Sequence, residues 1–308
     1  MKTKAFIYII LAGILWGTSG LFVKFLSPYG FTAPQLTLIR GTISFIAMLS
    51  YALISNRSIL KTSIKELLLA FIVGVMLCAT ATLYYSSMQM TSVSTAVVLM
   101  YTAPIYVTLF SIAFLGESSS HLKIVAISLM LVGCAFVSGI IGGLKFNTFG
   151  IIFGLLSGIS YAVYNIVTKI ALKGGMSATK LSLYGFLFMT LSALIIARPA
   201  EIAENAKKSP DATIPLMLGL GIFTFVLPYF FYTLSMRDLP AGTASALSII
   251  EPLAATLISA AVFGEIPGII SSLGIVLIVF ATCLLGRAEL FQEKLQNTKD
   301  TVKINSDH

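Results

Sequence analysis

The sequence has few charged residues. Asp, Glu, Lys and Arg make up 10% of its 308 residues, hydrophobic residues make up 57%, and the mean hydropathy is +0.96. Soluble domains carry about 25% charged residues, so this composition excludes an ordinary soluble globular protein. It indicates a chain that is surrounded by lipid over most of its length.

Cysteine is also scarce. Cys78, Cys134 and Cys283 lie far apart, each inside an apolar run. This spacing excludes a disulfide framework and a cysteine metal cluster, so we predict buried, inert thiols and neither a metal nor another cofactor. The formal charge of +8 could suggest a nucleic-acid binder, but most Lys and Arg flank apolar segments. Membrane topology explains that placement, so no nucleic-acid partner is predicted.

With only two histidines, the chain offers little for hydrolytic chemistry. Residues 17–20 read Gly-Thr-Ser-Gly, the G-x-S-G pattern of an intramembrane serine protease. That chemistry needs a base within hydrogen-bond reach of Ser19. His121 lies in a predicted cytoplasmic connection and His308 in the tail, and phosphate loops and paired catalytic acids are absent from the sequence. We therefore predict no enzyme activity, with an intramembrane serine hydrolase as a remote alternative.

Long apolar runs dominate the chain. A membrane-spanning helix needs about 20 mostly apolar residues. The first run, from Ala5 to about Leu26, is longer than the core of a signal peptide and is predicted to be retained. The sequence predicts ten spans, at residues 5–26, 33–54, 66–88, 93–115, 122–142, 148–172, 178–197, 213–235, 242–263 and 266–286. The polar tail, 287–308, is predicted to be disordered or only partly helical.

Basic residues orient these spans. With the N-terminus inside, fourteen of the 20 Lys and Arg fall on the cytoplasmic side and five on the opposite side, while Arg40 lies within the second span. Positive charge concentrates on the cytoplasmic side of membrane proteins, so both termini are predicted to be cytoplasmic.

The chain contains an internal repeat. Ser87–Glu117 and Ser235–Glu265 align without a gap at a shift of 148, and twelve of thirty-one positions match, including Pro104 with Pro252 and the Gly-Glu endings. The first span of each half aligns at a shift of 145, which pairs Trp16 with Tyr161. Each half then has five spans.

An odd number of spans makes the second half enter the membrane from the opposite face. The predicted fold is therefore an all-α polytopic membrane protein with ten transmembrane helices in two inverted five-helix repeats, residues 1–142 and 143–286, followed by a cytoplasmic tail, 287–308. Folds of this kind bind solute near the midplane between the halves and alternate its access to the two sides.

Three features together resemble the EamA branch of the drug/metabolite transporter superfamily. They are the segment G-I-L-W-G-T-S-G-L-F-V-K at Gly13–Lys24, the arginine of L-I-R-G at Leu38–Gly41, and the twofold proline with its F-G-E or L-G-E ending. The resemblance covers residues 5–286. It implies a carrier in the bacterial plasma membrane, commonly an exporter of amino acids or other small metabolites, in which spans 1–4 and 6–9 surround the cavity.

Two ionisable residues lie deep in predicted spans. Glu251 replaces the Ala103 of the first half and would lie roughly 13 Å from the start of its span. A carboxylate there should face water, a cation or a partner, so it is predicted to couple protons or to bind an amine of the substrate, or else to reach the headgroups. Arg40 lies roughly 10 Å deep, and either binds a substrate carboxylate, pairs with an acid, or extends to the interface.

The remaining candidates are aromatic, polar and kink-forming residues. An amphipathic solute is predicted to contact Trp16, Tyr84, Tyr101, Tyr161, Asn165 and Tyr232, although ordinary packing explains each of them singly. Paired helix bends that shape the cavity are predicted at Pro104 and Pro252.

Four charged residues are candidate gates by symmetry. Lys24 and Glu265 fall near the predicted external ends of spans one and nine, and Lys169 and Glu117 near the internal ends of spans six and four. Each pair would close one face in one state; interfacial anchoring is the alternative.

The sequence thus predicts a secondary transporter that moves a small metabolite, amino acid-like or amphipathic, by alternating access, with export favoured and proton coupling left open. A channel or a passive facilitator is the alternative. The predicted partners are the solute, the bilayer and, with Glu251, protons; no oligomeric state follows.

Overall fold

A computed structural model describes residues 2–91, 93–116, 120–137, 147–264 and 268–306, and over these ranges the regular structure is helical throughout. The first part of the chain forms α1 (Lys2–Gly17), α2 (Ser19–Leu26), α3 (Ala33–Ser55), α4 (Ile64–Met90), α5 (Val93–Met100), α6 (Ala103–Leu115) and α7 (His121–Val137). The second forms α8 (Thr148–Lys173), α9 (Ala178–Leu194), α10 (Pro199–Lys207), α11 (Pro210–Gly221), α12 (Leu227–Asp238), α13 (Ala241–Leu247), α14 (Ile250–Phe263) and α15 (Ile269–Ser306).

Local sequence signals set the starts of the long helices. Before α4, the Ser63 hydroxyl accepts the Glu66 N–H at 3.2 Å and the Glu66 carboxylate accepts the Ser63 N–H at 2.9 Å. Before α3, the Gln35 side chain accepts the Thr32 N–H at 2.9 Å. These reciprocal caps satisfy N–H groups that a helix start leaves without partners, so both helices begin where the polar loop meets the apolar run.

Within the described residues, seven helices or helix series are long and apolar enough to cross a membrane. They are Thr3–Tyr29, Ala33–Ser55, Ile64–Ser87, Ala96–Leu115, Thr148–Lys173, Pro210–Asp238 and Ala241–Val262. An eighth results if α9 and α10, which meet at 92°, are counted as one broken span. Two shorter apolar helices, His121–Val137 and Ile269–Leu285, fall on the other predicted segments. The all-helical membrane fold is therefore confirmed, and the number ten stays a prediction.

Several predicted spans are discontinuous helices. The first is broken at Thr18, between α1 and α2, and breaks also separate α5 from α6 and α13 from α14. Pro104 and Pro252 lie in the first turn after the latter two breaks, where a missing N–H costs no helix bond. Pro252 has no N–H to donate to the Ser248 carbonyl. That carbonyl accepts the Glu251 N–H at 2.9 Å instead.

Contacts between the two halves follow a reciprocal pattern. Helix α1 packs against α12 and α14, while α8 packs against α4, α5 and α6; α3 contacts α9, and α7 contacts α15. A Cβ placed on Gly13 would lie 3.0 Å from Ile250, and one on Gly158 would lie 3.2 Å from Thr102. Gly158 lies 145 residues after Gly13, and Thr102 lies 148 before Ile250, so the two crossings use corresponding positions.

The last helix is longer than predicted. The sequence predicts disorder or partial helix after Gly286, but α15 continues to Ser306. From Arg287 to Ser306 the chain has no glycine or proline and is rich in Glu, Lys, Gln and Leu, which are good helix formers. Low hydropathy alone therefore gave the wrong expectation for these residues.

Candidate functional site

A cavity of about 760 Å³ lies between the two halves. The first half lines it with residues of α1 to α5 and with Val137 of α7, and the second with residues of α8, α12, α14 and the turn before α12. It reaches Lys24, Ser27 and Pro28, which are exposed at the end of α2. The cavity therefore opens at the membrane face where α2 ends, and its volume is in the range that holds a small organic molecule.

Three side chains on one face of α8 lead away from the cavity towards the opposite membrane face. Tyr161 lines the cavity wall, and Asn165 follows four residues later, fully buried. The Asn165 amide donates to the Tyr161 carbonyl at 2.7 Å, and its carbonyl accepts the hydroxyl of Tyr232. One further turn along is Lys169, which is only 6% exposed.

Lys169 joins α8 to the end of α12. Its ammonium group donates to the Leu239 carbonyl at 2.6 Å and to the Met236 carbonyl. These carbonyls belong to the last turn of α12, where helix carbonyls lack intrahelical partners and carry partial negative charge. Beside this contact Gly242 of α13 packs directly on Thr108 of α6. Among the residues that the structure describes, these contacts close the cavity on the side away from α2.

A carboxylate and a guanidinium both face the cavity. Glu251, on α14, accepts the Tyr101 hydroxyl on Oε2 at 2.6 Å. Arg40, on α3, is only 9% exposed, and its Nε and Nη2 have no hydrogen-bond partner in the part of the chain that the structure describes. Arg40 lies near enough to act electrostatically on Glu251. Within the described ranges, however, no ion pair joins Arg40 to a carboxylate.

Aromatic rings form the wall next to these charges. The single tryptophan, Trp16, contacts Tyr229 edge to face with the ring centroids 5.0 Å apart, and contacts Tyr232 at 5.3 Å. Tyr161 stacks on Tyr164 at 5.6 Å. Edge-to-face and offset contacts of this kind fix ring orientation, so the wall is a preorganised apolar surface.

The structure brings most of the sequence candidates to one cavity. Its lining includes Trp16, Lys24, Arg40, Tyr84, Tyr101, Tyr161, Glu251 and Pro252. Asn165 and Tyr232 lie behind the lining and bond to each other, and Pro104 and Lys169 lie outside it. The gate candidates Glu117 and Glu265 lie outside the described residues.

Several lining residues were not identified from the sequence, among them Thr80, Tyr85, Ser248, Thr256 and Tyr229. Thr80 is one helical turn before Tyr84, and Ser248 is three residues before Glu251, so helical spacing from the predicted candidates could have found both. Tyr229 follows a π-helical turn, Ile222–Val226, that joins α11 to α12 and places Thr224 and Phe225 on the cavity. Such turns occur often at functional sites.

Known proteins with similar sequences are transporters. The model of the EamA-like transporter family matches residues 3–139 and 148–287. An uncharacterized transporter of Archaeoglobus fulgidus is 27% identical over 272 residues, covering 83% of this chain and 87% of that protein. The uncharacterized transporter YwfM of Bacillus subtilis is 24% identical, covering 92% and 93%. The uncharacterized inner membrane transporter YedA of Escherichia coli K12 is 25% identical, covering 88% and 87%.

The fold also has a counterpart among solved structures. One crystal structure superposes with a TM-score of 0.78, covering 96% of this chain and 99% of that one at 19% identity. At that identity the likeness concerns the fold alone. The family match, in contrast, spans both halves of the chain, with its boundary in the segment between α7 and α8. This chain belongs to the EamA-like transporter family.

Proposed function

We propose that this protein is a secondary transporter that moves a small amphipathic or amino acid-like solute across the plasma membrane by alternating access. Its two halves would be inverted five-span repeats with the solute bound between them. The observation that carries the proposal is a cavity that both halves line and that, among the described residues, reaches exposed positions at the end of α2 while the contacts of Lys169 and Gly242 lie on its other side. A channel would need a path to both faces at once.

The two halves differ in a way that supports alternation. Ser19 and Val23 of α2, and Ser27 directly after it, line the open cavity. At the repeat shift of 145 these positions correspond to Tyr164, Thr168 and Leu172.

The corresponding face of α8 is closed. Tyr164 is 2% exposed and Thr168 is 0% exposed, and no described residue forms a hydrogen bond with the Thr168 hydroxyl. Equivalent surfaces are therefore open in one half and closed in the other, as expected for an inverted repeat in one of its two end states.

Transport then consists of an exchange between the two halves. The end of α12 would separate from α8 while the end of α4 closes over α2, so that Thr168 lines the new entrance and Val23 becomes buried. Because the halves share a sequence pattern, the two end states are expected to be close in free energy, as two-state transport requires. If both termini are cytoplasmic, α2 ends at the external face, so the described state is open to the outside. An exported solute would leave the protein from this state.

Counterflow in proteoliposomes tests this proposal. Vesicles that contain the full-length protein are loaded with an unlabelled solute, and uptake of trace labelled solute is followed for amino acids, purines and cationic drugs. We expect at least one solute to accumulate transiently above equilibrium, because the excess unlabelled solute inside competes for the carrier site and slows the exit of labelled solute. A channel gives no such overshoot.

A cavity-filling variant provides the matched control. Gly20 lines the cavity, and a Cβ there would meet no atom of the described residues within 4 Å, so Gly20→Phe should fold and fill the space. We expect Gly20→Phe to lose the overshoot of the wild type. Equal fluxes for the wild type, Gly20→Phe and empty vesicles for every solute would contradict the proposal.

Proton coupling can be tested with the same vesicles. Glu251→Gln keeps an oxygen that can accept the Tyr101 hydroxyl but cannot exchange a proton at the cavity. If Glu251 couples protons to transport, this variant should retain counterflow and lose uptake driven by a proton gradient. Gradient-driven uptake equal to that of the wild type would leave Glu251 with a binding or structural role only.

A further inference from the structure

Helices α3 and α9 form a seam between the two halves, and each packs mainly on the half to which it does not belong. Helix α3 contacts α9, α11 and the π-helical turn of the second half, and α9 contacts α3 and α4 of the first. The two helices begin at corresponding residues, Ala33 and Ala178, at the repeat shift of 145. The seam is therefore built from equivalent parts of the two halves.

At the start of α3, the seam is closed beside the open mouth of the cavity. The Gln35 side chain, 1% exposed, donates from its amide nitrogen to the Glu201 carboxylate of α10 at 2.9 Å. Asn205, on the next turn of α10, donates to the Gly30 carbonyl at 3.0 Å. Gly30 comes two residues after Pro28, which lines the mouth. The second half thus holds the start of α3 on the face where the cavity is open.

At the start of α9, the seam is closed on the other face. The ammonium group of Lys180 donates to the Glu66 carboxylate of α4 at 2.9 Å, and the Tyr184 hydroxyl donates to the Leu60 carbonyl at 2.8 Å. Helix α9 begins a few residues after α8 ends, so these bonds lie on the same face as the Lys169 contact. On this face both the seam and the cavity are closed.

The polar contacts at the two ends are reciprocal. Gln35 and Lys180 are the third residues of α3 and α9 and correspond at the shift of 145. Their acceptors, Glu201 and Glu66, are the third residues of α10 and α4, which follow α9 and α3 along the chain. Each seam helix is therefore bonded at its start to the segment that follows the other.

Close packing joins the seam between its ends. A Cβ placed on Gly41 of α3 would lie 2.8 Å from Thr190 Oγ1 of α9, and one on Gly185 of α9 would lie 3.0 Å from Val73 of α4. Small residues let membrane helices approach closely and bury their shared surface. The seam is thus in contact at both ends and at its centre.

We infer that α3 and α9 are the pivot of the transporter, a seam that stays closed at both faces while the cavity opens to one face and then the other. In the described state the seam is closed at the open face as well as at the closed face. Inverted repeats exchange the roles of the two faces between their end states, so the repeat predicts both seam contacts in the second state also. This inference rests on the proposed function, because a pivot requires two end states.

Crosslinking of the seam tests the pivot in the full-length protein. In a cysteine-free background, Gln35→Cys with Glu201→Cys ties the seam at the open face, and Glu66→Cys with Lys180→Cys ties it at the closed face. Each pair is treated with a short bifunctional methanethiosulfonate reagent in proteoliposomes. We expect both crosslinked proteins to keep the counterflow of their untreated forms, because the reagent replaces a contact that persists throughout transport.

A pair across the moving contact is the matched control. Lys173→Cys with Asp238→Cys joins the ends of α8 and α12 on the same face as the second seam pair. Lys169, one turn before Lys173, bonds to the end of α12 there, and this contact must open during transport. The same reagent should therefore abolish counterflow in this control, and a reducing agent should restore it.

Spin-label distances give a second measurement that needs no solute. The labelled seam pairs are Pro34 with Glu204 at the open face and Lys65 with Thr179 at the closed face. All four positions are exposed or half-buried. We expect Lys169→Met to change the distance between labels at Lys173 and Asp238, because it removes the contact that holds α8 to α12. Both seam distances should stay as they are in the protein with Lys169.

Three results would overturn the pivot. They are counterflow that is lost when either seam pair is crosslinked and regained on reduction, a seam distance that changes together with the Lys173–Asp238 distance, and distances that are all fixed. In the first two cases, counterflow by the untreated protein would still support transport. If no untreated protein shows counterflow of any solute, transport is contradicted, and a changed Lys173–Asp238 distance with fixed seam distances would still support the pivot.

Discussion

Gly74→Ala is expected to destabilise the protein severely. A Cβ at Gly74 would lie 2.5 Å from the Gly185 carbonyl oxygen, 2.6 Å from Phe188 Cβ and 2.7 Å from the Met189 nitrogen. Two of these three atoms are backbone atoms of α9, so the helix itself would have to move. Overpacking of this kind costs about 3 kcal/mol at the upper end of its usual range, which corresponds to a melting temperature lowered on the order of 10 °C. Thermal unfolding of the detergent-purified protein measures this change in melting temperature.

Gly20→Ala is the matched control for this prediction. A Cβ at Gly20 meets no atom within 4 Å among the residues described, and alanine is the better helix former, so the melting temperature of Gly20→Ala should equal or exceed that of the wild type. If both variants melt together with the wild type, the close approach of α4 and α9 is not as the structure describes it. The difference between the two variants therefore tests the contact between α4 and α9, and not the general effect of replacing a glycine.

Lys169→Met is expected to open the face of the protein that is closed. The ammonium group of Lys169 holds two terminal carbonyls of α12 against α8, and hydrogen bonds to charged groups are worth about 1.5–3 kcal/mol. Their loss should raise the population open at that face by about 10- to 100-fold. Thr168, one residue away and fully buried, would then become accessible.

The labelling rate of a single cysteine measures this shift. In a background without Cys78, Cys134 and Cys283, Thr168→Cys is treated with a membrane-impermeant maleimide in vesicles of each orientation. We expect Lys169→Met to accelerate labelling from the closed face much more than Lys173→Met, because Lys173, one turn further along α8, is exposed and its contact with the Leu115 carbonyl is long, at 3.4 Å. Unchanged labelling in Lys169→Met would show that these contacts do not hold the closure.

Much of the architecture was predictable because its signals are local. The family prediction is confirmed, and each predicted apolar segment falls on a described helix. Glu251, Arg40 and Trp16 could be identified from the sequence because polar or indole groups deep in an apolar run need a specific environment. Their shared cavity supports that reasoning, while their roles in binding remain proposals.

Other features depend on geometry that a single sequence does not carry. Tyr229 follows a π-helical turn, which adds a residue to the turn and changes the direction of every later side chain on the helix. A regular period of 3.6 residues therefore could not place it. Lys169 donates to the carbonyls of Met236 and Leu239, which have no side-chain signature in the sequence, while its predicted gate partner, Glu117, lies outside the described residues. The helix over residues 287–306 reflects the helix propensity of these residues, which their hydropathy does not indicate.

Two distances measured across the opposite faces of the protein test the alternating-access account most directly. Ser27 and Met90 lie near the open end of α2 and at the end of α4, and both are exposed. Lys173 and Asp238 lie at the ends of α8 and α12 on the closed side. Asp238 corresponds to Met90 at the shift of 148, and Lys173 follows the counterpart of Ser27 by one residue.

Spin labels at each pair, measured by double electron–electron resonance in lipid, give both distance distributions. The account predicts that the two pairs change in opposite senses. The wild type should favour a long Ser27–Met90 distance with a short Lys173–Asp238 distance, and Lys169→Met should shift both populations towards the reverse. Distances that stay fixed in both variants, or that lengthen together at both faces, would contradict it.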